Sequence, residues 1–195
     1  GVTERNHLWD LKNLRLVREF SASVADGSRR ALANKVLDDF DAKVLPLAKR
    51  LRQQVIHNDA NDQNILVDDN NQIAGIIDMG DMVKTWLVNE IAIAMAYAMV
   101  VNQTKSDGKK TNKQDVSSML KDAGHLLAGY SKHIPLVPSE WSVLRTLIAS
   151  RLVQSCIMSS YSHSKDPKNE YLLITQEPGW KALEKFVNVP EKTAL

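Results

Sequence analysis

The sequence predicts an α+β domain, mostly α, built around a small β platform. Stretches at helical spacing lie on both sides of residues 54–77, and inside that window the pattern changes to short β-branched runs. The strongest turn cluster, Asp68-Asp69-Asn70-Asn71, lies between two of those runs and marks a hairpin. No repeat, low-complexity segment or long linker divides residues 1–195. A composition of 44% hydrophobic and 25% charged residues is that of one domain with a real core.

In chain order, Leu8, Leu11, Leu14 or Leu16, Val17 and Phe20 fall near helical spacing, with Lys12, Arg15 and Arg18 between them. Asp26-Gly27-Ser28 breaks that segment, and Ser28 is read as the cap of a helix, single or double, that reaches Arg52 with a bend at Pro46. Gln54–His57, Ile65–Val67 and Ile73–Ile77 are the candidate strands of a two- or three-strand platform, in which two buried strands deliver His57, Asp59, Asn64 and Asp78 to one edge of a small sheet. After Asp81 the chain is read as returning to helix, and Trp86–Val101 is apolar nearly all round, which predicts a core helix. Residues 102–112 read as a polar loop whose densest basic run, Lys105 to Lys113, is a solvated face. A helix from about Lys113 to His133 follows, ended by Pro135 and Pro138. The next helix, from Ser139-Glu140 to about Ser160, sets Trp141, Leu144, Leu147, Ile148, Leu152, Ser155 and Met158 on one face. Asp166-Pro167 opens a short helix and Pro178 the last one, through about Phe186.

The bulk properties exclude several classes. A net charge of +2 with scattered basic residues gives no nucleic-acid footprint. The most apolar stretch, Ile91 to Val101, is well short of the ~20 residues that span a bilayer, so no membrane segment is expected. One cysteine, Cys156, cannot form an internal disulfide and suits a reducing, cytoplasmic setting. The chain opens on Gly1 with no initiating Met and no apolar leader, which reads as a processed or cloned start.

Chemistry concentrates in the β window. The pattern is His57-x-Asp59-x-x-x-x-Asn64, followed fourteen residues later by Asp78, with each group at the end of an apolar run. Phosphoryl transfer asks the protein mainly to position the phosphates, share a metal with them and hold the acceptor hydroxyl near a base. Asp59 fits the base, and Asn64 and Asp78 are hard oxygen ligands suited to Mg²⁺. Asp62 and Asp81 are read either as turn and cap residues or as steering a cationic acceptor. Glu90, at the edge of an apolar helix, needs a partner. Pairing with Lys84 is set against contact with a substrate amine, and the pairing is preferred. Arg145 and Arg151 read as surface ion-pair residues.

The stretches His57-Asn58-Asp59-Ala60-Asn61-Asp62-Gln63-Asn64 and Ile77-Asp78-Met79-Gly80-Asp81 resemble the catalytic and metal loops of the aminoglycoside phosphotransferase and choline kinase family. Asn89-Glu90-Ile91-Ala92-Ile93, Asn169-Glu170-Tyr171-Leu172-Leu173 and Pro178-Gly179-Trp180 are similar to its hydroxylysine-kinase-like branch. The resemblance implies a kinase-like fold in which Asp59 is the base, His57 braces the loop, and Asn64 and Asp78 hold Mg²⁺ under ATP or GTP. It also implies an amino-alcohol acceptor. Met79 stands where an aromatic residue is usual in the family. The β-rich lobe that carries the family's phosphate-binding lysine has no counterpart before Asp10, so the chain reads as the C-terminal lobe alone, with the N-terminal nucleotide-binding lobe absent. Two rivals are set against a kinase. A zinc hydrolase lacks any H-x-x-x-H or Cys partner, while a non-catalytic lobe used for assembly retains the same motif.

Overall fold

The first segment follows a period of three rather than 3.6. In the computed structural model, which describes residues 6–104, 116–169 and 176–190, Leu11–Ser23 is a 3₁₀ helix. Leu11, Leu14 and Val17 are buried and Leu16 is exposed. Residues three apart eclipse in a 3₁₀ helix, so this spacing gives one continuous apolar edge. The buried Asp10 caps it through the Lys12 N–H (3.0 Å) and accepts the Thr85 hydroxyl (2.6 Å), tying the start of the chain to its center.

Helix α1 (Gly27–Asp39) is capped by Asp26, whose Oδ1 accepts the Arg29 N–H at 2.9 Å; Ser28 lies inside the first turn. The expected continuation to Arg52 changes its hydrogen-bond spacing twice. A π turn (Phe40–Val44) gives way to a 3₁₀ turn (Leu45–Arg50), where Pro46 has no N–H to extend an α ladder.

Strand β1 (Gln53–Ile56) pairs with β4 (Val83–Trp86), antiparallel, Gln53 opposite Trp86 and Ile56 opposite Val83. Strands β2 (Ile65–Val67) and β3 (Ile73–Ile76) form a separate antiparallel hairpin with Ile65 opposite Ile76. This corrects the expectation of one sheet with buried strands. β4 replaces the expected loop-to-helix passage, and the hairpin is not buried: Val67 is 60% and Ile73 76% exposed.

Helices α2 (Val88–Thr104), α3 (Val116–Ser131), α4 (Pro138–Lys165) and α5 (Gln176–Val187) make the core. Ile91, Ile93, Met95 and Met99 of α2 pack among Leu144, Leu147, Ile148 and Leu152 of α4 and Trp180, Leu183 and Phe186 of α5. Trp141 departs from the expected core face and is 43% exposed. The inward direction there belongs to the fully buried Glu140, which takes a bidentate bond from Arg52 (2.9 and 2.6 Å), and the next residue is turned about 100° away. Arg145, expected at the surface, is half-buried. Its Nη2 donates to the carbonyls of Phe186 (3.0 Å) and Val189 (2.6 Å), capping the end of α5. Pro167 and Lys168 form a turn, and the body of the helix expected after Asp166-Pro167 lies outside the described residues. The expectations for the Lys105–Lys113 loop, the start of the next helix and Glu170–Leu173 lie outside the described residues. Among the described residues no helix is long and apolar enough to cross a membrane.

Candidate active site

The loop after β1 turns sharply because Asn58 adopts a left-handed backbone (φ 69°), a conformation asparagine tolerates better than most residues. Its N–H donates to Glu90 Oε2 at 3.0 Å. Glu90 therefore holds the loop's backbone from the first turn of α2, in place of the expected pairing with Lys84. Burial pushes the Glu90 carboxyl above its ordinary range, while the Asn58 bond and the nearby His57 pull the other way. One residue earlier, His57 Nδ1 accepts the Asp59 N–H (3.3 Å), so the ring proton sits on Nε2 and donates to the Ile77 carbonyl (2.8 Å). The Ile77 N–H in turn donates to the Asn64 carbonyl (2.9 Å). These bonds stitch residues 57–59, 64 and 77 into one unit, which brings His57, Asp59 and Asn64 together and sets Asp78 next in the chain to Ile77.

Asp59 sits at the middle of the unit with both carboxylate oxygens engaged. Oδ1 accepts from the Tyr97 hydroxyl (2.8 Å) and Arg151 Nη2 (3.0 Å). Oδ2 accepts from Asn61 Nδ2 (2.9 Å) and Asn64 Nδ2 (3.1 Å). Asn64 Nδ2 also reaches the Asp59 carbonyl (2.9 Å), which leaves the Asn64 side-chain oxygen as its available ligand atom. Asp78 is left-handed (φ 59°) at the tip after β3, exposed, and fixed by the Gly80 N–H on Oδ1 (3.3 Å).

Two sequence candidates stand apart from this unit. Asp62 is exposed on the loop, and Asp81 Oδ1 lies 3.2 Å from His7 Nε2. Three residues that sequence reasoning missed belong to it. Asn61 organises the loop, its side-chain oxygen accepting the Gln63 and Asn64 N–H groups (2.9 and 3.1 Å). Tyr97 looked like one more apolar residue of the core helix. Arg151, expected on the surface, is 2% exposed and stacked against the rings of Trp9 (5.0 Å) and Tyr97 (5.4 Å). A cavity of about 210 Å³ opens beside them, walled by Trp9, Tyr97, Val100, Arg151, Ser155 and Ser159.

A carboxylate fixed between two donor pairs beside an amide side chain can accept a proton from a hydroxyl, and a second carboxylate on an exposed turn can ligate a hard cation. Residues 3–109, which contain all of the motif, match the Phosphotransferase enzyme family. The chain belongs to this family. As a phosphotransferase family member it is 34% identical over 196 residues to the hydroxylysine kinase of Mus musculus, a match covering 96% of this chain and 48% of that protein. Identity to the hydroxylysine kinase of Bos taurus is 31% over 201 residues, with 98% and 50% covered. For the Xenopus laevis hydroxylysine kinase it is 30% over 187 residues, with 91% and 46% covered. The chain spans about half the length of the curated relatives it matches.

Proposed function

We propose that this chain is the C-terminal, kinase-like lobe of a small-molecule kinase that moves the γ-phosphate of ATP or GTP to a hydroxyl of an amino-bearing metabolite such as hydroxylysine. The observation that carries this reading is Asp59, held by four donors in register with Asn64 and the Asp78 turn. The 195 residues form one domain, and the nucleotide grip comes from a second, N-terminal lobe of the parent protein. Two facts support a missing lobe: the half-length match to the relatives, and the apolar surface left uncovered on the hairpin by Leu66, Val67, Ile73, Ile76, Ile77 and Met79.

The donor chemistry fits magnesium. Asn64 and Asp78 offer an amide oxygen and a carboxylate, and Mg²⁺ takes one or two such ligands from protein while sharing phosphate oxygens and water. Among the described residues no group of three or more His, Cys, Asp or Glu forms a self-sufficient metal cage, as a zinc site of those residues requires. When bound, the ion neutralises charge between the transferring phosphates. The chain's own residues do the rest. Asp59 orients the acceptor hydroxyl and takes its proton. His57 locks the base loop to the metal loop through Ile77, and Glu90 holds the loop from beneath. The cavity beside Tyr97 and Arg151 gives the body of the acceptor a place within one side chain of the base. Asp62 and Asp81 remain secondary candidates for steering an ammonium group toward it. We infer a cytoplasmic reaction, where nucleoside triphosphates and a reduced Cys156 belong.

Phosphate transfer from Mg²⁺-ATP or Mg²⁺-GTP to 5-hydroxylysine by the parent protein tests this reading. Turnover by the parent and none by the 195-residue chain is the expected pair of results. Robust turnover by the chain alone overturns the missing-lobe proposal, and silence of the parent across amino-alcohol acceptors overturns the kinase.

A further inference from the structure

Asp59 accepts two hydrogen bonds on each oxygen, so a hydroxyl can reach it only if one donor gives way. The two pairs of donors differ in kind. On Oδ2 they are neutral amides from the same loop. Asn61 is half-buried, and Asn64 Nδ2 keeps a second acceptor, the Asp59 carbonyl, if its bond to Oδ2 opens. On Oδ1 they form a closed triangle. Arg151 Nη2 donates both to Asp59 Oδ1 (3.0 Å) and to the Tyr97 oxygen (2.9 Å), and Tyr97 donates its own proton to Oδ1 (2.8 Å). Arg151 is itself anchored, with Nη1 on the Trp9 carbonyl (3.2 Å) and on Gln154 Oε1 (3.0 Å). Breaking into that triangle would part a buried guanidinium from the carboxylate it is ion-paired with, a costlier event than exchanging a neutral amide at a loop, even though Nη2 also reaches the Asn58 carbonyl (3.5 Å).

We propose that Tyr97 and Arg151, which lie outside the motif loops, are positioning residues that pin Asp59 Oδ1 and reserve Oδ2 for the acceptor hydroxyl. This rests on the reading of Asp59 as the base. In the step itself, the acceptor oxygen bonds to the γ-phosphorus and the bond from that phosphorus to the β,γ-bridging oxygen breaks. The acceptor's proton passes to Oδ2, and the nucleoside diphosphate leaves. Fixing Oδ1 removes rotation of the carboxylate about its Cβ–Cγ bond, so Oδ2 is presented in one orientation. Burial raises the Tyr97 phenol above its ordinary range, which keeps its proton available for donation.

The test uses the parent protein with Mg²⁺-ATP and 5-hydroxylysine, and reads kcat and the KM of each substrate. Tyr97→Phe keeps the ring and removes one donor. It is expected to lower kcat about tenfold while leaving the nucleotide KM within about twofold. Arg151→Lys keeps the charge but loses the fork, and a loss of about a hundredfold in kcat is expected. If Arg151→Lys does not fold, Tyr97→Phe carries the test alone. The decisive readout is the double variant: because Tyr97 acts through Asp59, adding Tyr97→Phe to Asp59→Asn should leave the residual rate unchanged. A wild-type kcat in Tyr97→Phe, or a further tenfold fall in the double variant, overturns the proposal while leaving the kinase intact. An inactive wild-type parent overturns the base reading and this proposal with it.

Discussion

Replacing Glu90 probes the support beneath the loop of residues 57–64 without touching a motif residue. In the native protein its Oε2 receives the Asn58 N–H at 3.0 Å, and Asn58 is buried in a left-handed conformation. Glu90→Ala leaves that N–H buried without its acceptor, a loss of about 1–3 kcal/mol. For a cooperative unit of this size, about 2 kcal/mol lowers the unfolding midpoint by roughly 4–8 °C. Glu90→Gln keeps an oxygen in reach and should melt close to wild type. The pH dependence separates the two roles of the carboxylate. Burial raises the folded pKa above the ordinary 4.5, so the group's stabilising contribution is full below 4.5 and is lost as the pH rises through the raised value. Measured by denaturant unfolding from pH 4 to 7, Glu90→Gln should gain on wild type as the pH rises. An unchanged midpoint in Glu90→Ala, or a Gln-minus-wild-type difference that falls with pH, would refute the assignment.

Two further outcomes follow from the geometry. Glu140→Gln should destabilise the junction of β1 and α4 by about 1–2 kcal/mol, a figure kept low because Arg52 is itself 40% exposed. Burial raises the Glu140 carboxyl, but its bonds to Arg52 and the Val137 N–H outweigh this and leave it lowered. The stabilisation is therefore present above 4.5 and fades as the pH falls through the lowered value, and denaturant midpoints of the two proteins should converge in acid. In Gly80→Ala the new methyl would meet Asp78 Oδ1 at 3.1 Å, so the carboxylate must shift by a few tenths of an ångström. Mg²⁺-nucleotide affinity, read by titration, should weaken about tenfold while the melting curve stays in place.

The parts of the fold that were legible in the sequence are those specified by local pattern. The apolar run of α2, the prolines bounding α4 and α5, and the turn cluster between β2 and β3 each name their element directly. β4 was missed because Val83-Lys84-Thr85-Trp86 is short and runs into a helix, although its buried–exposed–buried alternation was readable. The hairpin was expected to be buried because an apolar run records that a strand wants cover, not which chain provides it. The site divides the same way. His57, Asp59, Asn64 and Asp78 form a spaced motif, whereas Arg151 lies 92 residues from Asp59, 54 from Tyr97 and 142 from Trp9. Nothing local distinguishes a buried arginine from an exposed one. Only tertiary contact shows that its charge faces Asp59.

The most direct measurement is single-turnover phosphate transfer by the parent protein carrying Asp59→Asn, alongside Mg²⁺-nucleotide titration of the same variant. Loss of the base should lower the transfer rate by about 10²–10⁴ with the nucleotide Kd changed by no more than about threefold. A wild-type transfer rate in Asp59→Asn would contradict the account.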